Sequence, residues 1–143
     1  MTPIPFTVPE DKLAQLLLSY PNTGKNSDVG KLAVAIVKEY FLSIDCTATF
    51  VTNKKGVDLQ VSYNGLTEDF EIKGTADESI AWSKLKVSSQ RCYDKLEAGM
   101  KLIRVSKISK PTVDLYFLEY GKHFILEQEP RWSVKRIANL SAS

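Results

Sequence analysis

The strongest constraint in this chain is Asn64-Gly65, set between two alternating runs. Val57, Leu59, Val61 and Tyr63 alternate with Asp58, Gln60 and Ser62 before it, and Leu66 to Lys73 follow. Both central residues of a type I′ turn need φ above zero, which Asn and Gly tolerate, so the pair predicts a two-residue hairpin. Such a turn fixes the register: Tyr63 faces Leu66, Val61 faces Glu68 and Leu59 faces Phe70. Asp58 is then expected directly opposite Glu71, on a face shared with Gln60, Ser62, Thr67, Asp69 and Lys73. Val57, Leu59, Val61, Tyr63, Leu66, Phe70 and Ile72 form the core face, and only Glu68 breaks the alternation.

Around the hairpin the apolar spacing predicts an α/β chain. Leu13, Leu16 and Leu17 mark a short helix from Lys12 to Tyr20, ended by Pro21-Asn22-Thr23-Gly24. Ser27 reads as the N-cap of a longer helix with Val29, Leu32, Ala33, Ile36, Val37, Tyr40 and Phe41 at a period near 3.6. Cys46 to Thr52 reads as a strand. Ser88 or Ser89 can cap a helix with Cys92, Tyr93 and Leu96 buried, running to about Ala98 and stopped by Gly99. Lys101 to Ile108 and Thr112 to Tyr120 predict two central strands, apolar on both faces. A last strand near Phe124 to Glu127 and a short helix around Val134 to Leu140 complete the expectation.

The 143 residues, 43% hydrophobic and 25% charged, suit one domain spanning 1–143. The longest aliphatic run, Leu32 to Val37, is far short of the roughly 20 residues of a membrane span. The start Met1-Thr2-Pro3-Ile4-Pro5-Phe6 lacks the pattern of a signal peptide, so a cytoplasmic, intracellular protein with no membrane partner is expected. Two distant cysteines and one histidine offer neither a disulfide framework nor a zinc cluster, so any metal must be held by oxygen. The formal charge of +2 hides a split: residues 1–83 carry seven Lys/Arg against eleven Asp/Glu, and residues 84–143 carry twelve against six. Chance and solvated surface account for such a split as well as an acidic metal centre beside a polyanion-binding surface does.

Directly opposed side chains have Cβ atoms about 4.5–5.5 Å apart, and like charges there are destabilising. Asp58 and Glu71 so placed suit a hard divalent cation such as Mg²⁺ between oxygen ligands. Lys73, two residues beyond Glu71 on the same face, can orient an attacking water or offset charge on a phosphate. The two acids and one lysine leave the bare site at −1, so phosphate engagement at this centre is expected to need the metal, and its loss to abolish cleavage while sparing binding through remote lysines. The competing reading is a wet sheet face on which Lys73 bridges two surface acids for about 0–1 kcal/mol.

Gly56-Val57-Asp58, Glu71-Ile72-Lys73-Gly74-Thr75 and a capped helix containing Gln90 resemble the PD-(D/E)XK nuclease superfamily. That signature is an acid on one strand and Glu-x-Lys on the next, inside a restriction-endonuclease-like αβββαβ core of mixed sheet and flanking helices. The likeness runs from about Ser27 to Ile108. It implies that Asp58 and Glu71 ligate Mg²⁺ or Mn²⁺, with the Ile72 carbonyl as a further ligand and Glu39, on the preceding helix, as a candidate acid. It implies Lys73 as the catalytic lysine and Gln90 as an accessory polar group. Val57 stands where the named motif has proline, and no acid follows Gly30, where related sequences can have one. Lys84, Lys86, Arg91 and Lys95, interleaved with Trp82 and Tyr93, are candidates to track a nucleic-acid backbone, solvated helix charge being the alternative. His123 stands alone near a turn and reads as structural or solvent-facing.

The expectation is a metal-dependent DNA endonuclease, restriction- or defence-like, acting as a homodimer or as a subunit of a larger complex. A Holliday-junction or other structure-specific resolvase is the alternative within the fold. A non-catalytic DNA-binding or assembly subunit is the alternative outside enzymes.

Overall fold

The computed structural model describes residues 2–22 and 24–128, with Val134, Arg136 and Ile137. Its elements in order are β1 (Ile4–Thr7), α1 (Glu10–Ser19), α2 (Asn26–Ile44), β2 (Thr49–Val51), β3 (Leu59–Tyr63), β4 (Leu66–Gly74), α3 (Gln90–Glu97), β5 (Lys101–Ser106) and β6 (Thr112–Leu118), with a 3₁₀ turn at Trp82–Lys84. The strands form one mixed sheet in the order β1-β6-β5-β4-β3-β2. β4 and β5 run parallel, and every other neighbouring pair is antiparallel. A parallel pair needs a crossover, and α3 lies on it.

The hairpin forms with Asn64 at φ 47° and Gly65 at φ 75°, and its ladder pairs Tyr63 with Leu66, Val61 with Glu68 and Leu59 with Phe70. Alternate residues of a strand face opposite sides, so β5 divides the core in two. Ile103 and Val105 pack with Leu59, Val61, Phe70 and Ile72 beneath α2, which buries Leu32, Ala33, Ile36, Val37 and Phe41. Leu102 points the other way, to Val57, Cys92, Leu96 and Leu118 beneath α3. Phe41 anchors the first layer, with its ring 4.7 Å from Tyr63 and 5.4 Å from Phe70 between centroids. Burying one such side chain is worth about 1.5–3 kcal/mol. Glu68, the break in the alternation, accepts the Tyr63 hydroxyl at 2.7 Å and lies 3.8 Å from Lys101 Nζ.

Four local expectations change. Pro3 and Pro5 hide β1, which is an edge strand against β6, where a residue without an N–H is tolerated. The strand expected from Cys46 shortens to Thr49–Val51 because the Asp45 carboxylate accepts both the amide and the hydroxyl of Thr47, holding a turn. α2 begins at Asn26 with Lys25 at its cap, not Ser27, and Asp28 instead accepts the Asn22 amide at 3.1 Å. No strand forms at Phe124 to Glu127, because Gly121, Lys122 and His123 donate their amides to carbonyls within a turn from Glu119 to Phe124. The helix expected around Val134 to Leu140 falls largely outside the described residues. None of the helices among the described residues is long and apolar enough to cross a membrane.

Candidate functional site

The ladder between β3 and β4 stops at Leu59, one residue short of Asp58. Asp58 still donates its amide to the Phe70 carbonyl at 3.0 Å, but its side chain takes over the next backbone position: Oδ2 accepts the Ile72 N–H at 2.8 Å. The chain bends there, and Val57 leaves the core face expected for it and packs on the α3 side with Leu96 and Leu102. The Asp58 carboxyl is thereby tied to the strand that carries Glu71 and Lys73.

Glu71 pairs with Leu102 of β5 and so points toward α3. The face that alternation marks as wet is covered here, and Glu71 is only 7% exposed. The Cys92 thiol on α3 donates to Glu71 Oε2 at 2.8 Å, and Lys73 Nζ lies 3.4 Å from Oε1. Burial pushes the Glu71 pKa above the ordinary carboxylate value; the adjacent Asp58 carboxyl adds to the rise, while Cys92 and Lys73 oppose it. Burial, reinforced by the bond to Glu71, pushes the Cys92 thiol up to about 12, so it stays protonated and serves as a donor.

Asp58, Ile72 and Lys73 open into a cleft of about 830 Å³ between the N-terminal half of α2 and the segment after the 3₁₀ turn. Its walls carry Lys31, Lys38, Lys84, Lys86 and Arg104 as well as Lys73. Asp58 is the sole acid among the described residues that line it. Lys38 Nζ sits 5.9 Å from the centre of the Phe50 ring, and Lys84 bonds Asp77 at 2.8 Å. Arg104, paired with Lys73 across β4 and β5, is 3% exposed. Its Nε donates to the Ile80 carbonyl at 2.7 Å and its Nη1 to the Gly74 carbonyl at 3.2 Å. Ser106 Oγ donates to the Ser79 carbonyl. Together they fasten the segment leading to Lys84 against the sheet.

The structure therefore brings Asp58, Glu71, Ile72 and Lys73 together, with Lys84 and Lys86 across the cleft. Gln90 is elsewhere: it is exposed at the start of α3, donates to Asp94 at 2.8 Å and lines a different cavity with Tyr93 and Ile125. Glu39 is not among the residues lining the cleft, to which α2 contributes Lys31, Val34, Ala35 and Lys38. Arg91 and Lys95 pack their stems over Gly56, and Lys95 adjoins Asp69, so they sit outside the cleft. His123 Nδ1 accepts the Glu119 amide within its own turn. Cys92 and Arg104 are the residues that sequence reading passes over, because each looks like part of a buried stripe until its partner on another element is known.

The donors suit a hard divalent cation. Two carboxyl groups lie side by side, their mutual repulsion is one a dication relieves, and Oδ2 of Asp58 and Oε2 of Glu71 are already fixed by hydrogen bonds. Among the described residues no third Asp, Glu, His or Cys completes a metal-holding group. Two carboxylates fit Mg²⁺, which commonly retains several waters. No protein-family model matches the chain, and no curated protein or solved structure gives a significant match.

Proposed function

We propose that the chain is a metal-dependent endonuclease that hydrolyses phosphodiester bonds in DNA, with a restriction-endonuclease-like core. The observation that carries this reading is that Asp58 and Lys73 line a cleft whose other charged walls are cationic, with the buried Glu71 carboxyl 3.4 Å behind Lys73 Nζ. The order α2-β2-β3-β4-α3-β5 supports the αβββαβ reading.

Asp58 and Glu71, with the Ile72 carbonyl as a third donor, would hold a Mg²⁺ or Mn²⁺ ion, which would supply Lewis-acid polarisation of the scissile phosphate and acidify the attacking water. Lys73 supplies a fixed positive charge next to Glu71, where it donates hydrogen bonds to a phosphate oxygen and offsets charge as the bond breaks. Lys31, Lys38, Lys84 and Lys86 hold the phosphates on either side of that position. The −1 of the three site residues is set among the other cations of the cleft, so removing the metal abolishes cleavage and spares the binding made through the more distant lysines.

The test is cleavage of plasmid, linear and branched DNA with Mg²⁺, Mn²⁺ or EDTA, beside Lys73→Ala. Wild type is expected to cut with metal and to bind without cutting in EDTA. Lys73→Ala is expected to lose about 10²-fold or more in rate while still binding, as for removal of one well-placed electrostatic group. Equal nicking by both proteins overturns the mechanism, and cleavage of no substrate favours a binding subunit. A preference for branched DNA identifies a structure-specific resolvase.

A further inference from the structure

The two oxygens of Glu71 have different partners. Oε1 lies 3.4 Å from Lys73 Nζ, and Oε2 accepts the Cys92 thiol hydrogen at 2.8 Å. A glutamate reaches its carboxylate through three side-chain torsions, so a ligand on this side chain needs something to select one rotamer. Cys92 is well held for that task. The Ser89 hydroxyl caps α3 by accepting the Cys92 amide at 3.1 Å. Leu96, one turn further, is fully buried against Val57, Leu102 and Leu118. The donor thus comes from a packed helix on one side of the sheet, and the carboxylate from a central strand. Both partners are buried, so water does not readily replace the bond.

We propose that Cys92 is a positioning residue for Glu71: its thiol fixes Oε2, so that the carboxylate presents Oε1 to a divalent cation shared with Asp58. This rests on reading Asp58 and Glu71 as a cation site. The thiol donates its hydrogen to Oε2 at 2.8 Å, so its part is to orient the carboxylate. A ligand held by one oxygen beside a second carboxylate leaves the rest of the coordination sphere to water and substrate, as Mg²⁺ prefers. Partners that orient a metal ligand are costly to remove even though they never touch the metal.

The experiment measures Mn²⁺ binding without DNA, by loss of the free-ion electron paramagnetic resonance signal. It compares wild type with Cys92→Ala, Cys92→Val, Cys92→Ser and Asp58→Asn, each first checked for folding by circular dichroism. Cys92→Ala and Cys92→Val are expected to weaken binding about 10–100-fold, whereas Cys92→Ser keeps a donor and stays within about threefold of wild type. Val retains most of the side-chain volume and supplies the donor-free comparison if Ala does not fold. A purely packing role predicts the reverse order, with the apolar Val tolerated and the hydroxyl of Ser penalised in an apolar layer. Wild-type affinity in Cys92→Val, with binding lost in Asp58→Asn, overturns the positioning role and leaves the cation site standing. Binding that is absent in wild type, or unchanged in Asp58→Asn, overturns the cation site and the positioning role with it.

Discussion

Asp45 shows how one half-buried carboxylate holds two elements in place. It follows the last residue of α2, and its Oδ2 accepts the Asn64 amide at 2.9 Å while its Oδ1 accepts the amide and hydroxyl of Thr47. The helix end is thereby tied to the tip of the hairpin. The bonds to Asn64 and Thr47 favour the charged form and hold the Asp45 pKa below its ordinary value of 3.8. A carboxyl whose folded pKa is depressed contributes stability that is present above its unfolded pKa and is lost as pH falls through the folded one. Asp45→Ala is therefore expected to unfold at a lower temperature than wild type near neutral pH, and the gap is expected to close as pH drops below 3.8. Thermal unfolding followed from pH 7 to pH 2 tests this, and a gap independent of pH refutes it. At this scale the nearness of Glu71 and Lys73 on one face was legible in the sequence, because a two-residue turn fixes the register as far as Leu59 and Phe70 and a period of two carries it along the strand. Gln90 was not, since a helix residue's direction depends on how the helix packs, and α3 turns Cys92 rather than Gln90 to Glu71. The bend at Asp58 was equally invisible: a side chain that captures a ladder amide leaves no mark on the alternation.

Between elements, α2 comes close to the end of β4 at Gly74, the residue after Lys73. A Cβ there would lie 2.5 Å from Ile108 Cδ1, 3.0 Å from the Ala33 Cβ and 3.1 Å from Val29 Cγ1. Glycine lets α2 settle on the end of β4 and so sets the near wall of the cleft. Gly74→Ala inserts a methyl group into a filled space, which typically costs about 1–3 kcal/mol. Removing Cδ1 with Ile108→Val relieves the shortest of the three contacts, so the double variant is expected to recover part of that loss in urea unfolding. Stability losses that simply add in the double variant place the strain elsewhere. The same packing explains which elements could be read from sequence. α2 and the hairpin were legible because their apolar periods are long and regular. β1 was hidden by its prolines and exists because β6 offers it an edge, and β2 is cut short by the turn at Asp45. Arg104 stands in a segment that reads as an apolar central strand, and its role depends on the covering segment from Thr75 to Lys84.

Across the whole molecule, the uneven charge resolves differently from the picture of an acidic half abutting a basic one. The cleft draws Lys31, Lys38 and Lys73 from the net-acidic stretch and Lys84, Lys86 and Arg104 from the net-basic stretch. Some acids of the first stretch are paired with lysines of either stretch: Asp69 with Lys54, Asp77 with Lys84 and Glu78 with Lys110. What folding concentrates is positive charge around one pair of carboxyls. Binding of duplex DNA in EDTA should then follow counterion release, with the logarithm of affinity falling linearly against the logarithm of salt concentration. Each phosphate-contacting lysine removed lowers that slope by about 1, so Lys31→Ala with Lys38→Ala is expected to lower it by about 2. Arg91→Ala with Lys95→Ala removes the same charge from outside the cleft, where Lys95 already faces Asp69. That pair is expected to leave the slope nearly unchanged, because a charge away from the phosphates displaces no counterion. Fluorescence anisotropy with a labelled duplex over a range of salt separates the two surfaces. Equal losses from both pairs would mean that the duplex spans the outer face of α3 as well. A loss from the α3 pair alone would remove the cleft from the path of the DNA, and with it the placement of the scissile phosphate beside Lys73.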